Sequence, residues 1–186
     1  MYEYKGLTVL ITGASSGMGA QYAREFAARG SNLILVARRL DRLEELATEL
    51  RTSSGISVTC LDRDLSAVGA GRALAEELIA QGTEVDVLVN NAGLQLARPL
   101  TDPALRAQDI ISEVAVNLTA PALIVQAALP HLMRQPQGAV VNLSSGLATF
   151  PKQAGGLYSA TKAGLSSFTT SLRWQVEGTP LLVSEV

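Results

Sequence analysis

Cysteine and histidine are nearly absent from this chain: Cys60 and His131 stand alone among 186 residues. A single cysteine excludes an internal disulfide framework. One histidine and one cysteine are too few for the zinc sites those residues usually build, so no metal centre is expected. Cys60 lies in an apolar run and reads as a packing residue rather than a reactive thiol, and His131 reads as a surface or capping residue. A surplus of either charge is also missing. The net charge of −2 offers no broad basic face, so nucleic acid is not an expected partner. Residues 1–6 are polar and lack the basic start and apolar core of a secretory signal, which makes a cytoplasmic protein the plain expectation. Repeats and low-complexity segments are missing too. The most apolar long stretch, residues 114–133, is interrupted by Asn117, Thr119, Pro121, Gln126 and Pro130. It reads as a buried or interface helix, and no membrane partner is expected.

What is present is a chain of 47% hydrophobic and 17% charged residues, enough for one domain, 1–186, with a sheet buried on both faces. Apolar, β-branched runs mark strands at 7–11, 32–36, 56–61, 85–89, 139–144 and 181–186. Helices are expected near 17–29, 40–52, 66–81, 101–134 and 155–177. Gly69 and Gly71 weaken the third of these. The alternation predicts an α/β fold, a doubly wound parallel sheet of Rossmann type with right-handed crossovers; the usual strand order of that type, 3-2-1-4-5-6, is the one expected.

Between the first strand and the first helix lies Thr12-Gly13-Ala14-Ser15-Ser16-Gly17-Met18-Gly19. Strand, glycine-rich turn and helix together point free backbone N–H groups at a phosphate. Gly13 suits a tight turn, Gly17 a close approach of pyrophosphate, and Gly19 packing of the helix on the strand. Ser15, Ser16 and Met18 complete the expected cofactor turn. The spacing is Gly-x-x-x-Gly-x-Gly, not the Gly-x-Gly-x-x-Gly of most dinucleotide sites. The second strand runs into Ala37-Arg38-Arg39, where such a domain meets the adenosine ribose. An acidic residue there would hold the ribose hydroxyls of NAD. A guanidinium instead suits a 2′-phosphate in charge and fork geometry. NADP(H) is therefore the expected cofactor in preference to NAD(H), with Arg38 the first candidate and Arg39 the second.

Tyr158 and Lys162 are four residues apart, about one helical turn, so both belong on one helix face. A phenol ordinarily titrates near ~10. A cation about 4 Å away at an effective dielectric of ~20 favours a phenolate by ~4 kcal/mol. Such a pairing turns a weak acid into a working proton donor and acceptor.

These motifs, in this order, resemble the short-chain dehydrogenase/reductase family, from about Lys5 to the last residue. Residues 12–19 match the family's cofactor turn. Asp64-Leu65 matches the acidic position that meets the adenine, and Asn90-Asn91-Ala92-Gly93 matches the segment after the fourth strand. The resemblance thus implies cofactor contacts from Asp64, Leu65, Asn91, Ala92 and Gly93, and from Tyr158 and Lys162 at the nicotinamide ribose. It implies a catalytic set of Asn117, Ser145, Tyr158 and Lys162. Ser145 is preferred over Ser144 because the family's serine precedes its tyrosine by thirteen positions. Asn117 would hold a water linking Lys162 to solvent. The implied activity is hydride transfer between NADP(H) and a ketone or secondary alcohol, in a homodimer or homotetramer. The family continues past the sixth strand with a substrate-covering segment and a seventh strand, so this chain reads as lacking that C-terminal part. That leaves a dinucleotide-binding sensor or partner protein without turnover as the alternative. An acyl-carrier-linked reductase would call for a basic patch, and only Lys152 is near.

Overall fold

The computed structural model describes residues 3–186; Met1 and Tyr2, the start of the polar segment read above, lie outside the described residues. Six parallel strands form one sheet: β1 (Thr8–Thr12), β2 (Asn32–Ala37), β3 (Val58–Asp62), β4 (Val87–Asn90), β5 (Ala139–Asn142) and β6 (Leu182–Glu185). Their spatial order is β3-β2-β1-β4-β5-β6. Leu10 pairs with Ile34 on one side and with Leu88 on the other. The chain therefore winds outward from β1 to β3, then crosses to the other side of β1 and winds outward again. That reversal leaves a crevice at the carboxyl ends of β1 and β4.

The central strands β1, β2, β4 and β5 are mostly apolar because their side chains find a helix whichever way they point, whereas the edge strands β3 and β6 are partly exposed. Val9, Ile11, Leu33, Leu35, Val87 and Val89 face α1 (Gly17–Ala28) and α2 (Leu40–Ser54), where Ala23, Ala27, Leu43, Leu46 and Leu50 complete one core. Leu10, Ile34, Val36, Leu88 and Val140 point to the opposite face. There they meet α3 (Ala70–Ala80), α5 (Ala120–Leu132) and α6 (Gly156–Gln175) through Leu74, Leu78, Ile124, Leu132 and Leu172. Cys60 is half-buried, and burial, followed by the charge of Glu44, pushes its thiol up to about 11. A thiol so placed is a poor nucleophile.

Two helices differ from expectation. α3 starts at Ala70, not 66, because Asp64 folds back on Ser66 and Gly69 takes a φ of +76°, which ends any helical run from before it. Gly71, which weakened that helix on paper, is required by packing: a β-carbon there would lie 2.6 Å from the Ala120 carbonyl oxygen. The predicted helix 101–134 is instead α4 (Ala107–Val114), a π-helical turn (Ala115–Thr119) and α5. Asp109 opens α4 by accepting a hydrogen bond from the Arg106 backbone N–H at 3.0 Å. The continuous stretch Ala107–Leu132 is long and apolar enough to cross a membrane by length and composition. In this fold its C-terminal half packs on α3, and its N-terminal half on α6.

Candidate functional site

The carboxyl ends of β1 to β4 open into a cavity of about 630 Å³. Gly13, Ser15, Ser16 and Met18 form one wall, Ala37–Arg39 and residues 63–66 the next, and residues 91–94 with Leu96 the third. Asp109, Ser112 and Val116 close the far side.

The glycine-rich turn is held by two side chains. Thr12 Oγ1 accepts from the backbone N–H of Asn91 (3.1 Å) and of Ala92 (3.0 Å). Asn91 Nδ2 donates to the carbonyls of Thr12 (2.8 Å) and Gly13 (3.2 Å). β1 and the loop after β4 are thus locked together. Gly19 lies behind this junction, where a β-carbon would meet both Asn91 Nδ2 and the Gly13 carbonyl oxygen at 2.4 Å. Gly17, at φ +58°, has open space where a β-carbon would project. Neither Gly17 nor Gly19 forms part of the cavity wall, whereas Gly13 does.

The first turn of α1 carries no acidic side chain, so its amide dipoles face the cavity mouth uncompensated. Its N-cap, Ser16, makes no capping bond. Its hydroxyl instead accepts from Arg39 Nη2 at 2.9 Å, as does that of Ser15 at 2.9 Å. Arg39, the second candidate on paper, is therefore the arginine that bridges the end of β2 to the glycine-rich turn. Arg38 also lines the cavity. Asp64 and Leu65 stand beside it in the wall. The Ser66 backbone N–H is the main influence holding the Asp64 carboxyl below its ordinary range. Arg63 is a third guanidinium in the wall, tied to Glu77 and to the Asp62 carbonyl.

Tyr158 and Lys162 lie outside the wall of this cavity, as does Ser145. The junction runs through Gly93, where a β-carbon would sit 3.9 Å from Lys162 Nζ and 3.8 Å from Asn117 Oδ1. Lys162 is 3% exposed, and its Nζ donates to the Leu143 carbonyl at 2.6 Å. Burial lowers its ammonium to about 8. The Nζ is 5.7 Å from the centre of the half-buried Tyr158 ring. Ser145 opens the short 3₁₀ turn Gly146–Ala148, which packs on α6, and its Oγ accepts from the Leu147 N–H at 3.1 Å. That bond uses a lone pair and leaves the hydroxyl proton free. Ser144 turns elsewhere: its Oγ bonds the Lys162 carbonyl at 3.5 Å.

Asn117 is fully buried in the π-helical turn. Its Oδ1 accepts from the Leu94 N–H at 2.8 Å. Its Nδ2 donates to the Leu94 carbonyl at 2.8 Å and to Thr161 Oγ1 at 3.1 Å. Both amide protons are used, and Oδ1 keeps a second lone pair. Among the described residues no group of three or more His, Cys, Asp and Glu side chains could hold a metal.

Sequence reasoning placed Thr12 in the turn but gave it no role, because its partners lie about 80 positions along the chain, and it missed Arg63, which adjoins Asp64.

This arrangement recurs among known proteins. Residues 7–186 match the family model described as short chain dehydrogenase, and the chain belongs to that family. A short chain dehydrogenase of Pseudocercospora fijiensis is 36% identical over 181 residues, covering 97% of this chain and 58% of its own length. The chain spans 55–58% of the length of three such relatives. Among solved structures, a bulky-bulky ketone specific alcohol dehydrogenase of Comamonas testosteroni superposes with a TM-score of 0.89 at 33% identity, covering 97% of this chain and 70% of that one. A short-chain dehydrogenase of Sphingobium yanoikuyae in complex with NADPH gives 0.87 at 35%, covering 96% and 69%.

Proposed function

We propose that the chain binds NADP(H) in preference to NAD(H) and catalyses hydride transfer to or from a ketone or secondary alcohol. One observation carries the cofactor reading: two adjacent guanidinium groups, Arg38 and Arg39, stand at the end of β2 where NAD-specific sites need a carboxylate, and Arg39 reaches the serines of the glycine-rich turn. The cavity fits the group. Beside its Ser15–Ser16 wall lies the N-terminus of α1, uncompensated by any acidic side chain in its first turn and with open space at Gly17, which suits a pyrophosphate. Ser15, Ser16, Arg38 and Arg39 would hold the phosphates, Asp64 and Leu65 the adenine side, and residues 91–93 the bridge towards the nicotinamide. The NADPH complex of the Sphingobium relative supports the same reading.

Bound there, the nicotinamide supplies or accepts the hydride. Tyr158 is the general acid, giving its phenolic proton to the developing alkoxide and taking it back in the reverse direction. Ser145, its hydroxyl proton left free by the Leu147 bond, donates to the substrate oxygen. Lys162, with an ammonium lowered to about 8, trades protons readily near neutral pH and stands on the Tyr158 face of α6. The ketone-specific Comamonas relative supports a ketone as the substrate class.

The test pairs binding with turnover. Fluorescence titration of the chain should give tighter binding of NADPH than of NADH. Tyr158→Phe should keep NADPH affinity within about threefold and lower ketone reduction by about 10²-fold or more. Equal affinity for the two cofactors, or turnover that survives the Phe variant, refutes the corresponding half of the reading.

A further inference from the structure

Three polar side chains that the reaction above does not use lie buried between the sheet and α6. Asn90 at the end of β4, Asn142 at the end of β5 and Thr169 on α6 are 2%, 0% and 0% exposed. Asn90 and Asn142 are partners in the parallel register of β4 and β5. They follow Leu88 and Val140 by two positions, so they point to the face that α6 covers. On α6, Lys162, Leu165, Thr169 and Leu172 recur at helical spacing, and all four are buried. Thr169 thus shares a stripe with Lys162, two turns or about 10 Å further along the helix.

The donors and acceptors of the three side chains allow one arrangement. Thr169 donates its hydroxyl proton to the Leu165 carbonyl at 2.7 Å, so towards the sheet its oxygen can only accept. Asn142 Nδ2 therefore faces it, at 2.9 Å. That orientation turns Asn142 Oδ1 towards β4, where it accepts from Asn90 Nδ2 at 2.8 Å. At the far end, Asn90 Oδ1 meets no donor among the described residues. Apolar side chains of the same shape would avoid that unpaired group, so stability alone does not account for the chain of amides.

What the chain adds is direction. Apolar contacts such as those of Leu165 and Leu172 are non-directional and tolerate a small slide of a helix along its axis. Hydrogen bonds do not, because they weaken steeply with distance and angle. α6 is held to the end of β5 at two heights, by Lys162 Nζ on the Leu143 carbonyl at 2.6 Å and by Thr169 on Asn142. Tyr158 stands one turn beyond the first of these. At the other end, Asn90 runs directly into Asn91, whose side chain holds the glycine-rich turn. The three residues therefore join the wall of the dinucleotide cavity to the helix that carries the tyrosine.

We propose that Asn142 and Thr169 are positioning residues: with Asn90 they form a buried hydrogen-bonded pin that fixes α6, and with it Tyr158, along the helix axis relative to the cofactor wall. The pin itself rests on the contacts above, and its effect on rate rests on the reaction proposed for Tyr158.

Thr169→Val keeps the volume and removes the hydroxyl. It should lower kcat for ketone reduction by about tenfold or more and leave the NADPH Kd within about twofold, because a misplaced acid slows the chemical step without loosening the cofactor. Thr169→Ser retains the hydroxyl and should bring kcat back to within about twofold of the unmodified chain. An unchanged kcat in the Val variant, or one equally low in the Ser variant, would overturn the proposal. A second variant, Asn90→Leu/Asn142→Leu/Thr169→Val, removes every polar member and leaves no buried group of the chain unpaired, so it should fold even where the single Val variant does not. It should match the unmodified chain in urea unfolding and still show the loss in kcat. Full kcat in this variant would mean that the polar groups serve only one another, and would also overturn the proposal. If the unmodified chain reduces no ketone with NADPH, the reaction reading fails and the pin is decided by structure. Crystal structures of the unmodified chain and the triple variant, superposed on β1 to β5, should differ by an axial displacement of α6 of about 0.5 Å or more, the scale on which catalytic rates respond to misplacement. A smaller displacement would overturn the pin.

Discussion

Lys162→Met should make the protein more stable at neutral pH, although it removes a residue proposed to act in the reaction. The side chain is 3% exposed, and burial lowers its ammonium from 10.5 to about 8. At ~1.4 kcal/mol per pKa unit, carrying that charge at pH 7 costs the native state about 3 kcal/mol. Methionine fills similar space without charge. The change also removes the 2.6 Å bond to the Leu143 carbonyl, a loss of about 1–3 kcal/mol for a buried acceptor. The net expectation is a gain of about 0–2 kcal/mol at pH 7, or up to about 4–8 °C in melting temperature for a chain of this size. The pH dependence is the sharper signature. The native state releases the Lys162 proton near pH 8, whereas the unfolded chain keeps it until about 10.5. Between those values the unfolded state binds more protons, so the unmodified protein gains stability as pH rises and the Met variant does not. The advantage of the variant should therefore shrink by about 3 kcal/mol between pH 7 and 10.5. Urea unfolding followed by circular dichroism at a series of pH values measures it. A difference between the two proteins that stays constant across that window would refute the argument. Retaining the lysine against such a cost is what a functional site does.

Three other substitutions probe the cavity and the turn behind it. Arg39→Ala and Arg38→Ala should each weaken NADPH by about 10- to 100-fold, the worth of one charge-assisted bond, and NADH by no more than about threefold, as read by parallel fluorescence titrations. A similar loss for both cofactors would remove that arginine from the 2′-phosphate site. Gly19→Ala places a methyl 2.4 Å from the Gly13 carbonyl oxygen, a backbone atom that cannot step aside, and should lower stability by about 1–3 kcal/mol or more in urea unfolding. An unchanged midpoint would mean that β1 and α1 part more easily than their packing suggests.

The strands were legible because the sheet is buried on both faces. A run such as Val9-Leu10-Ile11 is apolar at every position only if both sides meet helices, and that pattern needs no long-range knowledge. The glycine-rich turn was legible for a related reason: Gly13 and Gly17 have positive φ, a local property that the residue type announces. Helix ends were harder. α3 begins four residues late because Asp64 bonds Ser66, and the expected helix 101–134 is broken by a π-helical turn around Asn117, whose side chain answers to Leu94 and Thr161.

By itself, then, the sequence determined the order of strands and helices, the turn that suits a phosphate, the arginines after β2, and the one-turn spacing of Tyr158 and Lys162. These depend on neighbours within a few residues. Only the tertiary structure decided that Arg39 bonds Ser15 and Ser16, that Thr12 locks the loop after β4, and that Lys162 spends its proton on Leu143. Such choices rest on burial and on partners up to 80 positions away, as between Thr12 and Ala92. A buried polar group takes whichever donor or acceptor the packing brings to it, and periodicity along the chain carries no record of that partner.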